Sequence, residues 1–311
     1  MHWRGMIGLG LAVLGLALPA QAQTKIAIGY GPSTVWMPAF VAKDQGFFAK
    51  HGIDASLTLI PVGSNQPPAL IADSIQVSGM NPTILLLADE GSADIQVIAG
   101  ADEYTKSDTN GGLMVRAGET IKSLADFRGK RIAVPGLNST FHIAMMTYFR
   151  LNGVDPRAIN YLEVPINQMG DALRNAQVDA AMPVEPFASQ IVAAQTATPF
   201  MPLPPPFPNP ATVYSFWTMR KTYIAAHPDI VRGFRASLEE ALAWMKQHLD
   251  EARRTQITYL KTPEAIAMKG KLAPWSTHIS GDELQFWIDA CKTLGLTKGT
   301  VGLADILARQ S

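Results

Sequence analysis

Side chains that could bind a small solute follow several predicted strands of this chain. Hydroxyl and amide groups can form hydrogen bonds with a ligand, and aromatic rings can form an apolar wall beside it. In an open parallel sheet, ligands bind beyond the carboxyl ends of the strands. We therefore expect one cleft to be lined by ten candidate ligand-binding residues: Ser33, Thr34, Trp36, Asn81, Thr83, Asn138, Ser139, Thr140, Glu185 and Tyr214.

The segment 136–141, which reads GLNSTF, has the clearest chemistry of these. A glycine turn leads to Asn138, Ser139 and Thr140 at the start of a predicted helix. Free backbone N–H groups and the helix dipole favour an anion at such a place. A hydroxyl can also cap its own helix there. Both roles can hold together, because the cap uses one residue and the ligand another.

Glu185 lies between two prolines in the segment PVEPF, residues 183–187. It could cap the helix that Pro186 starts, or it could accept hydrogen bonds from an amine, amide or hydroxyl of a ligand. In either role a donor must be near, because burying an unpaired carboxylate is costly. Trp36 and Tyr214 are expected to form the apolar wall, and a position in the core is the alternative for both.

Enzyme and metal motifs are missing from the sequence. HExxH, GxSxG and the phosphate-binding GxxxxGK do not occur, and the single cysteine, Cys291, cannot form a CxxC site. The histidines that follow residue 50 lack metal-ligand spacing, and only His142 adjoins the expected cleft. We predict no catalytic residues, no metal site and no cofactor, and an inert buried thiol at Cys291.

Predicted strands and helices alternate along the chain and position the candidate residues. This alternation predicts right-handed crossovers and an α/β fold with mostly parallel sheets flanked by helices. The pattern starts at residues 25–29 (KIAIG) and again near residues 131–136 (RIAVPG). Two halves can be aligned with an offset of 103 residues, and each turns through a proline, Pro82 or Pro186, into a new helix. The chain of 311 residues also exceeds the roughly 100–200 residues of one domain, so two lobes are expected.

The N-terminus predicts export. Arg4 precedes an apolar run that ends before Pro19, and an A-x-A site follows, so residues 1–22 are read as a cleaved signal peptide. The run is too short for a membrane span of about 20 residues. The chain has 26 basic residues (Lys and Arg) and 26 acidic residues (Asp and Glu), so its net charge is zero. This balance does not resemble the basic surface of a nucleic-acid-binding protein.

Four segments carry a pattern shared with a known family: PAFVAKDQGFFAKHGID, IKSLADFRGKRIAVPG, ALRNAQVDAAMPVEPF and HPDIVRGFRASLEEALAW. Together they resemble the periplasmic solute-binding proteins of ABC importers for sulfonates, nitrate and thiamine-pyrimidine precursors. The resemblance covers nearly the whole mature chain. One departure is Gln76, where the family commonly has an acid, and this puts the local capping in question.

The resemblance implies a type II-like periplasmic binding protein, with lobe 1 from residues 23–112 and 217–311 and lobe 2 from residues 113–216. Some C-terminal helices could pack on lobe 2. Two crossing hinge strands are expected near residues 111–116 and 213–219, and the lobes are expected to close on the solute.

The family likeness further implies a periplasmic monomer that delivers a small organic solute to an ABC permease and ATPase complex in the inner membrane. A sulfonate, a carboxylate or a heterocyclic or aromatic acid would suit the candidate residues. One alternative is a periplasmic sensor that presents its solute to a receptor. An enzyme of the thiamine-pyrimidine type is a weaker alternative, because the cysteine-rich motif of those synthases is absent.

Overall fold

The computed structural model describes residues 23–105, 107–203 and 211–308. The predicted signal peptide and the end of the proline-rich stretch 198–210 lie outside these residues. Within them, the strands in chain order are β1 (Thr24–Tyr30), β2 (Ile53–Leu59), β3 (Val77–Met80), β4 (Ile95–Gly100), β5 (Tyr104–Thr105), β6 (Gly112–Arg116), β7 (Arg131–Val134), β8 (Asn160–Glu163), β9 (Ala180–Ala181), β10 (Ala197–Pro202), β11 (Ala211–Thr212) and β12 (Phe216–Arg220).

The helices alternate with these strands in the first two thirds of the chain and dominate the last third. The segment SLADFRGK forms a short 3₁₀ helix, Leu124–Phe127, with Ser123 at its N-cap. The α-helices are α1 (Met37–Asp44), α2 (Phe47–Lys50), α3 (Gln66–Ile71), α4 (Pro82–Glu90), α5 (Thr140–Leu151), α6 (Met169–Arg174), α7 (Phe187–Ala193), α8 (Lys221–Ala226), α9 (Pro228–Met245), α10 (Leu249–Leu260), α11 (Glu264–Lys269), α12 (Gly281–Thr293) and α13 (Leu303–Ile306).

Two five-stranded sheets have the same arrangement. The first has the order β2-β1-β3-β12-β4 and the second the order β8-β7-β9-β6-β10. In each, three strands pair in parallel, and one strand, β12 or β6, runs against its neighbours on both sides. Four strands of each sheet therefore point the same way, which confirms the predicted mostly parallel α/β fold.

The internal repeat is also confirmed. Helices α3 and α6 begin 103 residues apart, at Gln66 and Met169. Val77 pairs with β1 as Ala180 pairs with β7, each at the start of its strand pairing. Pro82 opens α4, and Pro186 immediately precedes α7. The two halves are therefore copies of one architecture, as the spacing predicts.

The chain crosses between the sheets twice, and the crossings differ from the predicted ones. Strands β6 and β12 lie wholly within the second and the first sheet. The segments that join the sheets precede these strands, and β5 pairs with β11 in antiparallel fashion between them. Strands β6 and β12 coincide with most of the predicted ranges 111–116 and 213–219, but residues 213–215 are not strand, and neither strand passes from one sheet to the other. The lobe boundaries given above stay a prediction.

Two apolar cores hold the molecule together. One packs α1 and α9 on the first sheet around Phe40, Trp217 and Phe234. The other fills the second sheet and continues to the first through Tyr214 and Trp287. Helix α12, which carries Trp287 and the buried Cys291, packs on both α4 and α5. C-terminal helices therefore contact both halves. Within the described residues, no helix is both long and apolar enough to span a bilayer.

Candidate functional site

A cavity of about 60 Å³ lies between the two sheets. Every segment that lines it follows the carboxyl end of a strand or, for Ser215, immediately precedes β12. This is the place where the rule for open parallel sheets puts ligands. Turns that follow strands of the first sheet contribute Gly31, Pro32, Ser33, Val35, Trp36, Ile60, Pro61, Gly63, Gln66 and Asn81. Turns that follow strands of the second sheet contribute Pro135, Ser139, Phe141, Ile166 and Val184, and the second crossing segment contributes Ser215.

The second-lobe wall is built around the N-terminus of α5. Ser139 is the N-cap, and its hydroxyl oxygen accepts a hydrogen bond from the backbone N–H of His142 at 3.4 Å. The hydroxyl proton of Ser139 stays available to a ligand. Phe141, the second residue of the helix, also lines the cavity. The wall thus combines a capped helix N-terminus, where the dipole favours negative charge, with an aromatic face.

His142 supports this wall and does not enter the cavity lining. Its Nδ1 accepts a hydrogen bond from the backbone N–H of Asn138 at 2.9 Å, and this fixes the turn before α5. Asn138 itself has a left-handed backbone, with φ of 62°. Burial lowers the pKa of His142 to about 4, so the ring is neutral at neutral pH. Its role here is to position the turn.

On the first-lobe wall, Ser33, Trp36 and Asn81 line the cavity as predicted from the sequence. The hydroxyl oxygen of Ser33 accepts from the backbone N–H of Val35 at 3.3 Å. Asn81 donates Nδ2 to the backbone oxygen of Tyr214 at 2.8 Å, which ties the corner after β3 to the second crossing segment. Trp36 belongs to the core as well, because it is only 4% exposed and packs against Trp217.

Gln66 and Ser215 line the cavity, and the sequence analysis missed both. Gln66 is 3% exposed, and its Oε1 has no hydrogen-bond partner among the described residues. The signal that could have found it is its place at the first position of α3, in the turn after β2. Ser215 directly precedes β12.

Five predicted residues lie outside the cavity lining and join the lobes through hydrogen bonds. The hydroxyl of Thr83 donates to the backbone oxygen of Asn138 and lies 3.4 Å from the hydroxyl oxygen of Thr140. The backbone N–H of Thr34 donates to the backbone oxygen of Glu185 at 3.1 Å. These residues do not line the cavity. Their hydrogen bonds instead connect one lobe to the other. A direct contact between these residues and a ligand stays a prediction.

Glu185 caps helix α7, which is one of the two roles that the sequence suggests for it. Its Oε2 accepts a hydrogen bond from the backbone N–H of Ser189, in the first turn of α7, at 3.1 Å. The carboxylate lines a separate groove along α7, together with Lys271. Burial raises the pKa of Glu185, while Ser189 and Lys271 lower it. Its carboxylate is thus outside the cavity, and contact with a ligand stays a prediction.

Tyr214 is part of the core behind the cavity. It is 1% exposed and stacks on Phe141 at 5.1 Å between ring centroids. Tyr104 and Trp287 meet the same ring edge-on. Tyr214 therefore supports Phe141, which forms the apolar wall directly, and the core reading of Tyr214 is the one that the packing favours.

The cavity lining carries no charged side chain among the described residues. Its polar groups are the hydroxyls of Ser33, Ser139 and Ser215 and the amides of Gln66 and Asn81. Its remaining surface is aromatic, aliphatic and proline. Such a site can hold a small ligand through hydrogen bonds and a helix N-terminus without forming an ion pair.

Comparisons with known proteins agree with this geometry. The taurine-binding periplasmic protein of Escherichia coli strain K12 is 24% identical over 263 residues, which cover 84% of this chain and 77% of that protein. The solved alkanesulfonate-binding protein of Xanthomonas axonopodis pv. citri, bound to MOPS, gives a TM-score of 0.79 at 19% identity, covering 92% of this chain and 99% of that one.

A second solved structure, the periplasmic nitrate-binding protein of Synechocystis PCC 6803, gives a TM-score of 0.75 at 14% identity and covers 90% of this chain and 83% of that one. These three proteins are binding proteins and not enzymes, and the solved ones have the two-lobed periplasmic fold that the sequence predicts. The family model described as NMT1/THI5 like matches residues 33–252, more than half of the chain. The chain belongs to the NMT1/THI5-like family.

Proposed function

We propose that this chain is the periplasmic solute-binding component of an ABC importer and that it captures a small organic acid between its two lobes. The single observation that carries the proposal is the cavity between the sheets. Strand-end turns of both lobes line it, and the N-terminus of α5 borders it. Relatives that bind taurine, alkanesulfonates and nitrate support an acidic ligand and an importer as the partner.

The lining favours an organic acid over a bare inorganic anion. Trp36 and Phe141 offer apolar surface that only a ligand with a carbon body can cover. Ser139 and the first turn of α5 offer donors and a positive dipole end for a carboxylate or a sulfonate. We propose that these groups hold the acid. The signal peptide, the periplasmic location and delivery to a permease and ATPase complex belong to the same proposal.

A thermal-shift panel followed by calorimetric titration tests the proposal. The probes are ethanesulfonate, 1-propanesulfonate, butanoate, benzenesulfonate, benzoate and nitrate, each added to the purified mature chain. We expect at least one organic acid to raise the Tm, because a ligand at 100 times its Kd adds about 2.7 kcal/mol to the free energy of unfolding. If none of the organic acids raises the Tm or gives binding heat, the proposal is wrong.

The variant Ser139→Ala tests whether the acid group of the ligand binds at the N-terminus of α5. It removes a hydroxyl from the cavity and a helix cap worth about 1 kcal/mol of stability. Ser280→Ala is the matched control, because Ser280 caps α12 in the same way and does not line the cavity. Both variants should lower the Tm of the free protein by a similar amount. Only Ser139→Ala should weaken the affinity for the acid, and equal affinity in both variants would contradict the assigned position.

A further inference from the structure

One corner of the cavity, beside Gly63, carries two amide oxygens. A Cβ atom built on Gly63 would lie 3.9 Å from Oε1 of Gln66 and 4.0 Å from Oδ1 of Asn81. Both oxygens therefore converge on the same small region. Cδ1 of Ile84 would lie 2.9 Å from the same Cβ, so this point is partly occupied. Gly63, Gln66 and Asn81 all line the cavity, and the two amides meet it at this corner, beside Ile84.

The two oxygens are acceptors that a ligand can use. Asn81 gives its Nδ2 to the backbone oxygen of Tyr214, and an acceptor at that place fixes the amide so that Oδ1 is the atom left for the cavity. Oε1 of Gln66 is buried and has no partner within the described part of the chain. Leaving a buried polar atom unpaired is costly, so a ligand group that pairs with it binds more tightly for that reason.

This corner does not suit the acid group itself. Two amide oxygens repel a carboxylate or sulfonate oxygen, and no cationic side chain of the described lining offsets the repulsion. The place for the acid is the other wall, where Ser139 and Phe141 bring the N-terminus of the twelve-residue helix α5 to the cavity. The two ends of the ligand must therefore differ in hydrogen-bonding character.

We propose that Gln66, together with Asn81, determines specificity by selecting acids that also carry an N–H or O–H donor a few bonds from the acid group. The inference rests on the proposed function and narrows its substrate class. Gln66 accepts from the donor while α5 holds the acid. An acid with a methyl group in place of the donor leaves Oε1 of Gln66 buried and unpaired, and it binds more weakly for that reason.

Two matched probe pairs test this. They are 2-hydroxyethanesulfonate against 1-propanesulfonate and 3-hydroxypropanoate against butanoate, in which a hydroxyl replaces a methyl group of similar size. Titration calorimetry of the mature chain should show at least tenfold tighter binding of the hydroxyl member in each pair that binds. Equal binding, or tighter binding of the methyl member, would overturn the inference.

The variant Gln66→Met separates specificity from folding. Methionine keeps the shape of the side chain and removes the unpaired oxygen, so the Tm of the free protein should not fall. The tenfold preference should shrink to less than about twofold, because the hydroxyl member of each pair loses its acceptor. Gln190→Met is the control, because Gln190 also has a buried unpaired amide atom but lines a different groove. It should leave the preference unchanged.

The outcomes distinguish the two proposals. If neither the acids of these pairs nor the organic acids of the thermal-shift panel bind, the proposed function fails. If organic acids outside the pairs bind but neither pair does, the inference about Gln66 fails and the proposed function stands. If acids bind but the hydroxyl preference is absent in the natural chain, or if it persists in Gln66→Met, the inference about Gln66 fails and the proposed function stands.

Discussion

At the scale of single residues, Gln76 shows that a local role can survive a change of residue type. Its Oε1 accepts a hydrogen bond from the backbone N–H of Ala27 at 2.9 Å. Asp179, which lies 103 residues later, accepts from the backbone N–H of Arg131 at the same distance. The amide therefore performs the capping that the acid performs in the other half. The change from an acid to Gln76 therefore leaves the local capping intact.

Asp179 also binds the Arg131 side chain, which gives a prediction about stability. Oδ1 and Oδ2 of Asp179 accept from the guanidinium at 2.7 and 3.2 Å, and this side chain lowers the pKa of the Asp179 carboxyl. Asp179→Ala should lower the free energy of unfolding by about 2 kcal/mol, because it leaves the backbone N–H of Arg131 without its acceptor. Urea denaturation at pH 7 measures this loss.

The control for this prediction is Asp171→Ala, which removes an exposed ion pair with Arg174. Exposed pairs contribute about 0–1 kcal/mol, so the loss should be small. A depressed carboxyl pKa contributes stability above the ordinary value of 3.8, and that contribution disappears as the pH falls. The difference between Asp179→Ala and the natural chain should therefore shrink in acid. Equal losses for the two variants at pH 7 would contradict the account.

At the scale of elements, the two crossing segments are joined by a buried acid that the sequence analysis did not single out. Oδ1 of Asp102 accepts the backbone N–H groups of Tyr214 and Ser215 at 2.9 and 2.8 Å. Its Oδ2 has no partner among the described residues, and the side chain is fully buried. Burial, together with the charge of Glu283, raises the pKa of Asp102 to about 7, although the hydrogen bonds from Tyr214 and Ser215 lower it. The hinge thus contains a group that titrates near neutral pH.

This titration predicts a pH dependence of stability. The unfolded chain ionises Asp102 near its ordinary value of 3.8, whereas the folded chain holds the proton to about 7. Between these values the folded state binds more protons, so the free energy of unfolding falls as the pH rises, by up to about 1.4 kcal/mol per unit. Denaturation at pH 5, 6 and 7 measures the slope.

Asp102→Asn isolates this group from the other titrating side chains. The neutral amide keeps the oxygen that accepts from Tyr214 and Ser215, and it cannot ionise. The variant should lose less stability than the natural chain when the pH is raised from 5 to 7. Parallel stability profiles for the two proteins would show that Asp102 is not the titrating group.

The elements themselves were largely predictable. Hydrophobic runs and turns place β1 and β7 within a residue or two, and the 103-residue spacing predicts α6 from α3. The crossings were not predictable from strand signals, because β6 and β12 carry the same signal as any lobe strand. Gln66 was missed for a physical reason too: its importance comes from being buried without a partner, and sequence does not display that.

At the scale of the whole molecule, hydrogen bonds between the lobes accompany the cavity. Thr83 donates to the backbone of Asn138, and the hydroxyl of Ser64 donates to Glu163 at 3.3 Å. Each such contact forms only when the lobes meet, so it favours the closed arrangement by its own free energy. A solute held by both walls adds to this, and closure and binding are therefore coupled.

The coupling predicts that Thr83→Val weakens solute binding although Thr83 does not line the cavity. Losing one net hydrogen bond of about 0.5–1.5 kcal/mol should raise the Kd by about two- to tenfold. Thr218→Val is the control, because Thr218 donates to the backbone of Ser78 within one sheet, at 3.0 Å. It should lower the Tm and leave the Kd unchanged. If calorimetry shows an unchanged Kd for Thr83→Val, the hydrogen bonds between the lobes do not contribute to closure on the solute.

The most direct measurement is a crystal structure of the mature chain with the tightest-binding acid of the probe panel. The account predicts the acid group within hydrogen-bonding distance of Ser139, its body against Trp36 and Phe141, and both lobes in contact with it. A ligand found instead in the groove along α7, beside Glu185 and Lys271, would contradict the assignment of the solute to the space between the sheets.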